Sequence, residues 1–177
     1  MPINHTSDSH EWFLKYLEGD REYSQYYQEK NPNISYGTTS SMGNTARFYT
    51  DKATNKTYFA AFGQTMPDLN YQSKELQEAI YNVFDFWMGI GADGFRFDAV
   101  KHLFDPNEIS SSEDSVKLNN KFFKELGAHL KEINPDVKVV ILTSHNDVQE
   151  VLNSLKAGAN AYCSKEINPS RLIQVVS

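Results

Sequence analysis

Hydrophobic and polar positions change their spacing along this chain, and the change divides it into two parts. In the N-terminal part, aromatic residues are scattered among charges and amides, so only short elements are predicted. The pattern predicts a helix over Glu11–Leu17, with Ser9 as its cap and Gly19 as its end. Two β-prone runs, Ala46–Thr50 and Thr57–Ala61, flank a polar turn and predict a hairpin.

From Ser73 onward the pattern alternates between helical spacing and short apolar runs. The first predicted elements are a helix ended by Gly89 and Gly91, a strand over Gly94–Val100, and a long helix from a capping box at 110–113 to Pro135. They are followed by a strand over Val137–Leu142, a helix from Asp147 to Gly158, a strand over Asn160–Ser164, and a helix capped by Asn168 and begun by Pro169. Strands joined by helices are parallel, with right-handed crossovers. The fold class predicted is therefore α/β, with a small open parallel sheet whose three strands lie side by side. The aromatic N-terminal segment and the hairpin are expected over its carboxyl edge.

Composition indicates a globular protein and limits the classes of partner that it is expected to bind. Of 177 residues, 40% are hydrophobic and 23% charged, and the net charge of -6 comes without a cluster of Lys or Arg. This argues against nucleic acid and anionic membranes as partners. A single cysteine, Cys163, no signal-peptide pattern and no long apolar run predict a cytoplasmic protein without disulfides.

Three motifs in the N-terminal part resemble the alpha-amylase family of glycoside hydrolases. They are Ile3–Ser7, Met66–Asn70 and Gly94–His102, in the order that the family has them. The resemblance covers residues 1 to about 130 and implies part of a TIM barrel. It places Ile3–Ser7 at the end of the third barrel strand, and Gly94–His102 on the fourth strand and its catalytic loop. The segment before Met66 would then be the small domain inserted after the third strand.

The resemblance also implies roles for individual side chains. It implies that Asp98 is the catalytic nucleophile and that Arg96 orients and ionises it. It also implies that the sugar groove is lined by His5, Lys101 and His102, and that calcium is bound by Asn4 and the His102 carbonyl. A retaining glycosidase needs an ionised carboxylate that attacks the anomeric carbon and a protonated one that releases the leaving group. Arg96 and Asp98 are two residues apart in an expected strand, so they share a face.

The C-terminal part resembles the second half of a response-regulator receiver domain. The resemblance is carried by Val139–His145, by Leu155–Tyr162 and by Lys165. It implies that Thr143 is the switch hydroxyl and that Lys165 pairs with an acyl phosphate. The acidic pair that holds magnesium in receivers is absent. Strand order places Asp98 where a receiver has its phosphoacceptor, which motivates the hypothesis of a pseudo-phosphoacceptor.

Two resemblances in one chain predict a chimera, with a seam between Ala128 and Asp136. The predicted segments are 1–72 (third-strand loop and inserted segment), 73–130 (helix–strand–helix) and 131–177 (receiver-like), with one composite domain from 73 to 177. The two resemblances together imply that its open sheet is a hybrid of a half-barrel and a flavodoxin-like sheet.

The predicted active site is incomplete. The family's general acid is a glutamate at the end of a later strand, where this chain has Leu142. The nearest later acids, Asp147 and Glu150, are interpreted as a helix cap and its capping partner. The first hypothesis is therefore a protein without evolved catalytic activity. The alternatives are a residual α-glucoside hydrolase or transglycosidase that uses Asp98, a remnant that binds an α-glucan oligosaccharide, and the pseudo-phosphoacceptor. No cofactor is expected apart from the calcium that the resemblance implies, and exposed sheet edges predict a homo-oligomer.

Overall fold

The structure is a computed structural model that describes residues 2–32, 48–104, 114–143 and 159–176. The chain divides into two compact units, Met1–Asn119 and Asn120–Ser177. The predicted segment boundaries and the seam stay predictions. Among the helices that are described, none has the length and hydropathy to cross a bilayer. The cytoplasmic location and the homo-oligomer also stay predictions.

The first unit contains short elements joined by long loops. They are helix α1 (Glu11–Glu18), a 3-10 turn (Tyr23–Gln25), strands β1 (Phe48–Thr50) and β2 (Thr57–Phe59), helix α2 (Lys74–Gly89), a 3-10 turn (Val100–His102) and the start of helix α3 (Ser115–Ile133). Strands β1 and β2 are antiparallel, with Phe48 opposite Phe59. The predicted N-terminal helix and the hairpin are confirmed over the residues that are described.

Helix α1 begins at Glu11, as predicted, but its cap lies one residue later than predicted. His10, not Ser9, is the N-cap, because the backbone N–H of Trp12 donates to His10 Nδ1 over 3.1 Å. An imidazole can cap a helix as a hydroxyl does when its Nδ1 carries no proton. The end of the helix is as predicted, since Gly19 adopts the left-handed conformation with φ of 84°.

Gly19→Ala is expected to destabilise the first unit by about 1 kcal/mol, because a Cβ disfavours the left-handed conformation. The added methyl would meet only Lys56 Nζ at 4.0 Å, so the cost is conformational rather than steric. Urea denaturation measures it. Gly89→Ala is the matched control, because Gly89 lies within α2 with nothing within 4 Å of a Cβ. That substitution should be neutral or stabilising, and an equal loss in both variants would contradict the explanation.

Helix α2 buries one face against the loop that follows it. Ser73 caps the helix by accepting from Leu76 N–H, and Leu76, Ile80 and Phe84 are buried at a spacing of four. The Phe84 ring is fully buried and contacts the rings of Phe95 at 4.9 Å and Phe97 at 5.4 Å. The C-terminal end of the helix and its cap carry exposed apolar side chains, namely Phe86, Trp87 and Ile90.

Aromatic rings form much of the rest of this core. Phe13 of α1 contacts the rings of Tyr16, Tyr27 and Tyr58 at 4.8 to 5.9 Å. The buried hydroxyls are bonded, Tyr16 to the Thr57 carbonyl and Tyr27 to Thr6 Oγ1. Burial raises the pKa of Tyr16 and of Tyr27 well above the usual range for tyrosine. The N-terminal tyrosines are therefore mainly core residues, as their default role predicts.

The predicted strand over Gly94–Val100 is wrong. Within the described residues this segment makes one isolated parallel bridge, Pro2 with Asp98, and no ladder. A strand requires a neighbouring strand to bond along its length, and Pro2 lacks an N–H to donate. The segment stays extended because Phe95 and Phe97 both pack on Phe84.

The second unit confirms a parallel strand pair. It contains the remainder of α3, strand β3 (Val140–Thr143), strand β4 (Ala161–Ser164) and helix α4 (Pro169–Val176). Strands β3 and β4 are parallel, and Leu142 lies opposite Cys163. Asn168 Oδ1 accepts from Ser170 N–H, so the predicted cap of α4 is confirmed.

Several predicted features of this region lie outside the described residues. They are the capping box at 110–113 and the helix from Asp147 to Gly158. At the start of α3, the carboxylate of Asp114 accepts from the N–H groups of Val116 and Lys117. Cys163 is buried, as expected for a structural thiol.

Candidate functional site

The three N-terminal motifs meet in the first unit. His5 forms an antiparallel bridge with Asp68, and Pro2 forms a parallel bridge with Asp98. The backbone of Asn4 accepts from Leu69 N–H over 2.8 Å. Residues that lie far apart in sequence are thereby brought to one place, as the resemblance to a single catalytic domain implied.

Asn4 links the first motif to the third. Its side chain is fully buried, and Nδ2 donates to the His102 carbonyl over 2.8 Å. Since the amide nitrogen must face that carbonyl, Oδ1 is the atom that lies 3.1 Å from His5 Nδ1. Oδ1 can only accept, so His5 Nδ1 carries the proton.

This hydrogen bond fixes the tautomer of His5. With the proton on Nδ1, the neutral ring presents Nε2 as an acceptor. Burial lowers the pKa of His5, and the negative charge of Asp98 opposes that effect only in part. His5 is therefore a neutral acceptor that lies within the electrostatic field of Asp98, suited to receive a hydrogen bond from a sugar hydroxyl.

An aromatic residue that the sequence analysis missed joins the two histidines. The half-buried Phe62 ring lies 5.1 Å from the His5 ring and 5.2 Å from the His102 ring. Apolar ring faces support the carbon faces of sugars, so Phe62 belongs to the candidate groove. The one sequence feature that could have identified Phe62 is its position shortly before the Met66–Asn70 motif.

Asp98 and Arg96 lie in the extended segment that follows α2, and both side chains are exposed. Asp98 Oδ1 accepts from Ala99 N–H over 2.9 Å, and Ala99 adopts the left-handed conformation with φ of 56°. A non-glycine residue in that conformation is uncommon and is enriched near functional sites. The third predicted groove residue, Lys101, lies in the 3-10 turn that follows, and its side chain is outside the described part.

Calcium is the metal that the resemblance implies, with Asn4 and His102 as ligands. Asp68, missed by the sequence analysis, adds a fully buried carboxylate beside them. Oxygen donors of this kind suit calcium, which takes roughly six to eight of them. In the structure, however, the Asn4 amide nitrogen already donates a hydrogen bond to the His102 carbonyl. Among the described side chains no group of three or more His, Cys, Asp or Glu could hold a metal. The arrangement does not fit the ion as it stands, and calcium stays a prediction.

The receiver-like residues belong to the second unit. Thr143 is the last residue of β3, opposite Ser164, and its side chain is outside the described part. Lys165 is exposed in the turn after β4. Strand β3 carries no carboxylate at its end, where the general acid of a retaining glycosidase is expected.

The first unit thus brings together His5 held by Asn4, the Phe62 ring and the segment that carries the exposed Asp98. The chain belongs to the alpha-amylase family, because the family's model, "Alpha amylase, catalytic domain", matches residues 1–172.

Similar proteins include enzymes and transport proteins. Alpha-amylase 3 of Dictyoglomus thermophilum is 34% identical over 147 residues, which cover 79% of this chain and 25% of that protein. The amino acid transporter heavy chain SLC3A1 of Homo sapiens is 28% identical, over 82% of this chain and 22% of its own length. The crystal structure of alpha-amylase from H. orenii matches with a TM-score of 0.67 and 29% identity, covering 90% of this chain and 30% of that one.

The chain thus spans about a fifth to a third of the length of the proteins it resembles. The family match runs through the residues on which the receiver resemblance was based. None of these matches includes a receiver domain, so the chimera, the receiver part and the flavodoxin-like sheet are not supported. The pseudo-phosphoacceptor hypothesis depended on that resemblance and loses its basis.

Proposed function

We propose that this chain carries the nucleophile half of an active site that processes α-glucosides, with Asp98 as the nucleophile and His5 and His102 on the sugar. The observation that carries the proposal is the hydrogen-bonded link from His5 through Asn4 to the His102 carbonyl. That link orients the His5 ring, ties it to the backbone of His102, and leaves it in the electrostatic field of Asp98. Preorganised contacts of this kind are what a glycoside-binding groove requires.

The proposed chemistry is the first half of a retaining reaction. The carboxylate of Asp98 attacks the anomeric carbon, the glycosidic bond breaks, and its electron pair departs with the leaving group. Because the end of β3 offers no carboxylic acid, the leaving group receives no proton from there. The chain on its own should therefore act only on substrates whose leaving group is stable as an anion. Arg96, two residues earlier, is proposed to keep Asp98 ionised, and Lys101 to line the groove.

The test is covalent trapping with 5-fluoro-α-glucosyl fluoride, whose fluoride leaves unprotonated and whose ring fluorine slows hydrolysis. The expected result is an intact mass increased by one fluoroglucosyl group, located on the peptide that contains Asp98. Asp98→Asn should show no increase. Asp93→Asn is the matched control, because Asp93 is an exposed carboxylate in the same loop, and it should be labelled as the wild type is. No labelling of the wild type, or equal labelling of Asp98→Asn, would disprove the nucleophile assignment.

A second candidate is sugar binding without cleavage. It is favoured by the absence of a carboxylate at the end of β3 and by relatives named as transporter heavy chains rather than as enzymes. Calorimetric titration with maltotetraose measures it directly. Binding that His5→Ala abolishes, together with no trapping, would establish a remnant that binds α-glucan oligosaccharides.

A further inference from the structure

Ala99, the residue that follows the proposed nucleophile, has a backbone conformation that alanine rarely adopts. Its φ is 56° and its ψ is 22°, in the left-handed region. Among the described residues other than glycine, only Asn55 shares a positive φ. Asparagine can compensate that conformation with its polar side chain, whereas the methyl group of alanine cannot. Such a conformation persists only where its surroundings hold it in place.

Hydrogen bonds engage both backbone groups of Ala99. Its N–H donates to Asp98 Oδ1 over 2.9 Å, and its carbonyl accepts from His102 N–H over 2.9 Å. The His102 carbonyl accepts from Asn4 Nδ2 over 2.8 Å, and Asn4 Oδ1 accepts from His5 Nδ1 over 3.1 Å. A series of four hydrogen bonds therefore joins the Asp98 carboxylate to the His5 ring through Ala99.

The left-handed conformation is what allows Ala99 to make both of its bonds. The φ torsion sets the direction of the carbonyl relative to the N–H of the same residue, so a negative φ would turn the carbonyl away from His102 while the N–H faced Asp98. The bond also restrains the carboxylate, because Oδ1 is held by the Ala99 N–H. Within the described part of the chain, no hydrogen bond engages Asp98 Oδ2. One oxygen is thus held and the other is available to a substrate.

We propose that Ala99 is a positioning residue, whose left-handed backbone holds Asp98 by Oδ1 and presents Oδ2 as the oxygen that attacks the anomeric carbon. This inference rests on the proposed function of Asp98. A bond forms between Oδ2 and the anomeric carbon, the bond from that carbon to the leaving group breaks, and its electron pair departs with the leaving group. Because a displacement of about 1 Å can slow a reaction by about 100-fold, a carboxylate held in one orientation is an advantage.

The first test is the rate of trapping by 5-fluoro-α-glucosyl fluoride in two variants of this position. Glycine adopts positive φ readily, so Ala99→Gly should be labelled at the wild-type rate. Valine is β-branched and disfavours positive φ, so Ala99→Val should be labelled about 100-fold more slowly. The loss should appear in the rate at saturating reagent rather than in the concentration that gives half of that rate.

Ala92→Val is the matched control for the added volume. Ala92 is half-buried, as Ala99 is, and lies in the same loop without a positive φ. This variant should be labelled at the wild-type rate. Equal rates in Ala99→Val and Ala92→Val would overturn the proposal.

A second test detects the hydrogen bond itself and needs no labelling. Nuclear magnetic resonance of the wild type should show a scalar coupling across the hydrogen bond, between the amide nitrogen of Ala99 and Cγ of Asp98. Ala99→Gly should keep the coupling, and its absence from the wild type would overturn the proposal even where Ala99→Val does not fold. A wild type that shows the coupling but is not trapped would contradict the proposed function alone. A wild type that is trapped without the coupling would contradict the positioning role alone.

Discussion

Phe84→Ala is expected to destabilise the first unit by about 3–5 kcal/mol, one of the two largest effects expected for this protein. The side chain is fully buried and joins α2 to Phe95 and Phe97 in the segment that leads to Asp98. Its removal costs the transfer free energy of the ring and leaves a void that these neighbours fill only in part. Domains of this size have a total free energy of unfolding of roughly 5–15 kcal/mol, so much of the folded population would be lost.

Urea denaturation followed by far-UV circular dichroism measures this change. Phe86→Ala is the matched control, because Phe86 lies two residues further along α2 and is 60% exposed. It should change the free energy of unfolding by less than about 0.5 kcal/mol. Similar losses in the two variants would mean that Phe84 is not the residue that holds the extended segment to α2.

Asn4→Leu is expected to cost about 2–6 kcal/mol of folding free energy. Leucine has nearly the same size, but it removes the hydrogen bonds that the Asn4 amide makes with the His102 carbonyl and with His5 Nδ1–H. Each buried polar group that loses its partner costs about 1–3 kcal/mol. The substitution also releases His5 from its fixed tautomer. Affinity for maltotetraose, if the groove binds it, should therefore fall as well.

The measurement pairs chemical denaturation with calorimetric titration. Asn82→Leu, on an exposed position of α2, is the control for replacing an amide by an aliphatic side chain. It should leave both the free energy of unfolding and the affinity nearly unchanged. If Asn4→Leu behaved as Asn82→Leu does, the link between the first and third motifs would contribute nothing to this fold.

The receiver resemblance shows how sequence patterns of this kind mislead. Buried parallel strands are short apolar runs, and helices between them end at glycine, in every α/β fold. The run Val139–His145 and the segment Leu155–Tyr162 satisfy those rules without distinguishing one α/β fold from another. By contrast, Gly94–His102 contains chemistry-bearing residues at fixed spacing, and the family match confirms the family that this motif indicated.

The sequence by itself determined the four helices α1 to α4, the hairpin, the parallel pair β3–β4 and the family. Caps, periodicity and turn residues act within a few positions, so a local pattern contains the physical cause. Only the tertiary structure decided that Asn4 bonds to His102, 98 positions away, that Phe62 and Asp68 join them, and that the Gly94–Val100 segment lacks a ladder. Those features depend on which loops close on one another, and the free energy of closing a loop depends on the whole chain rather than on nearby residues.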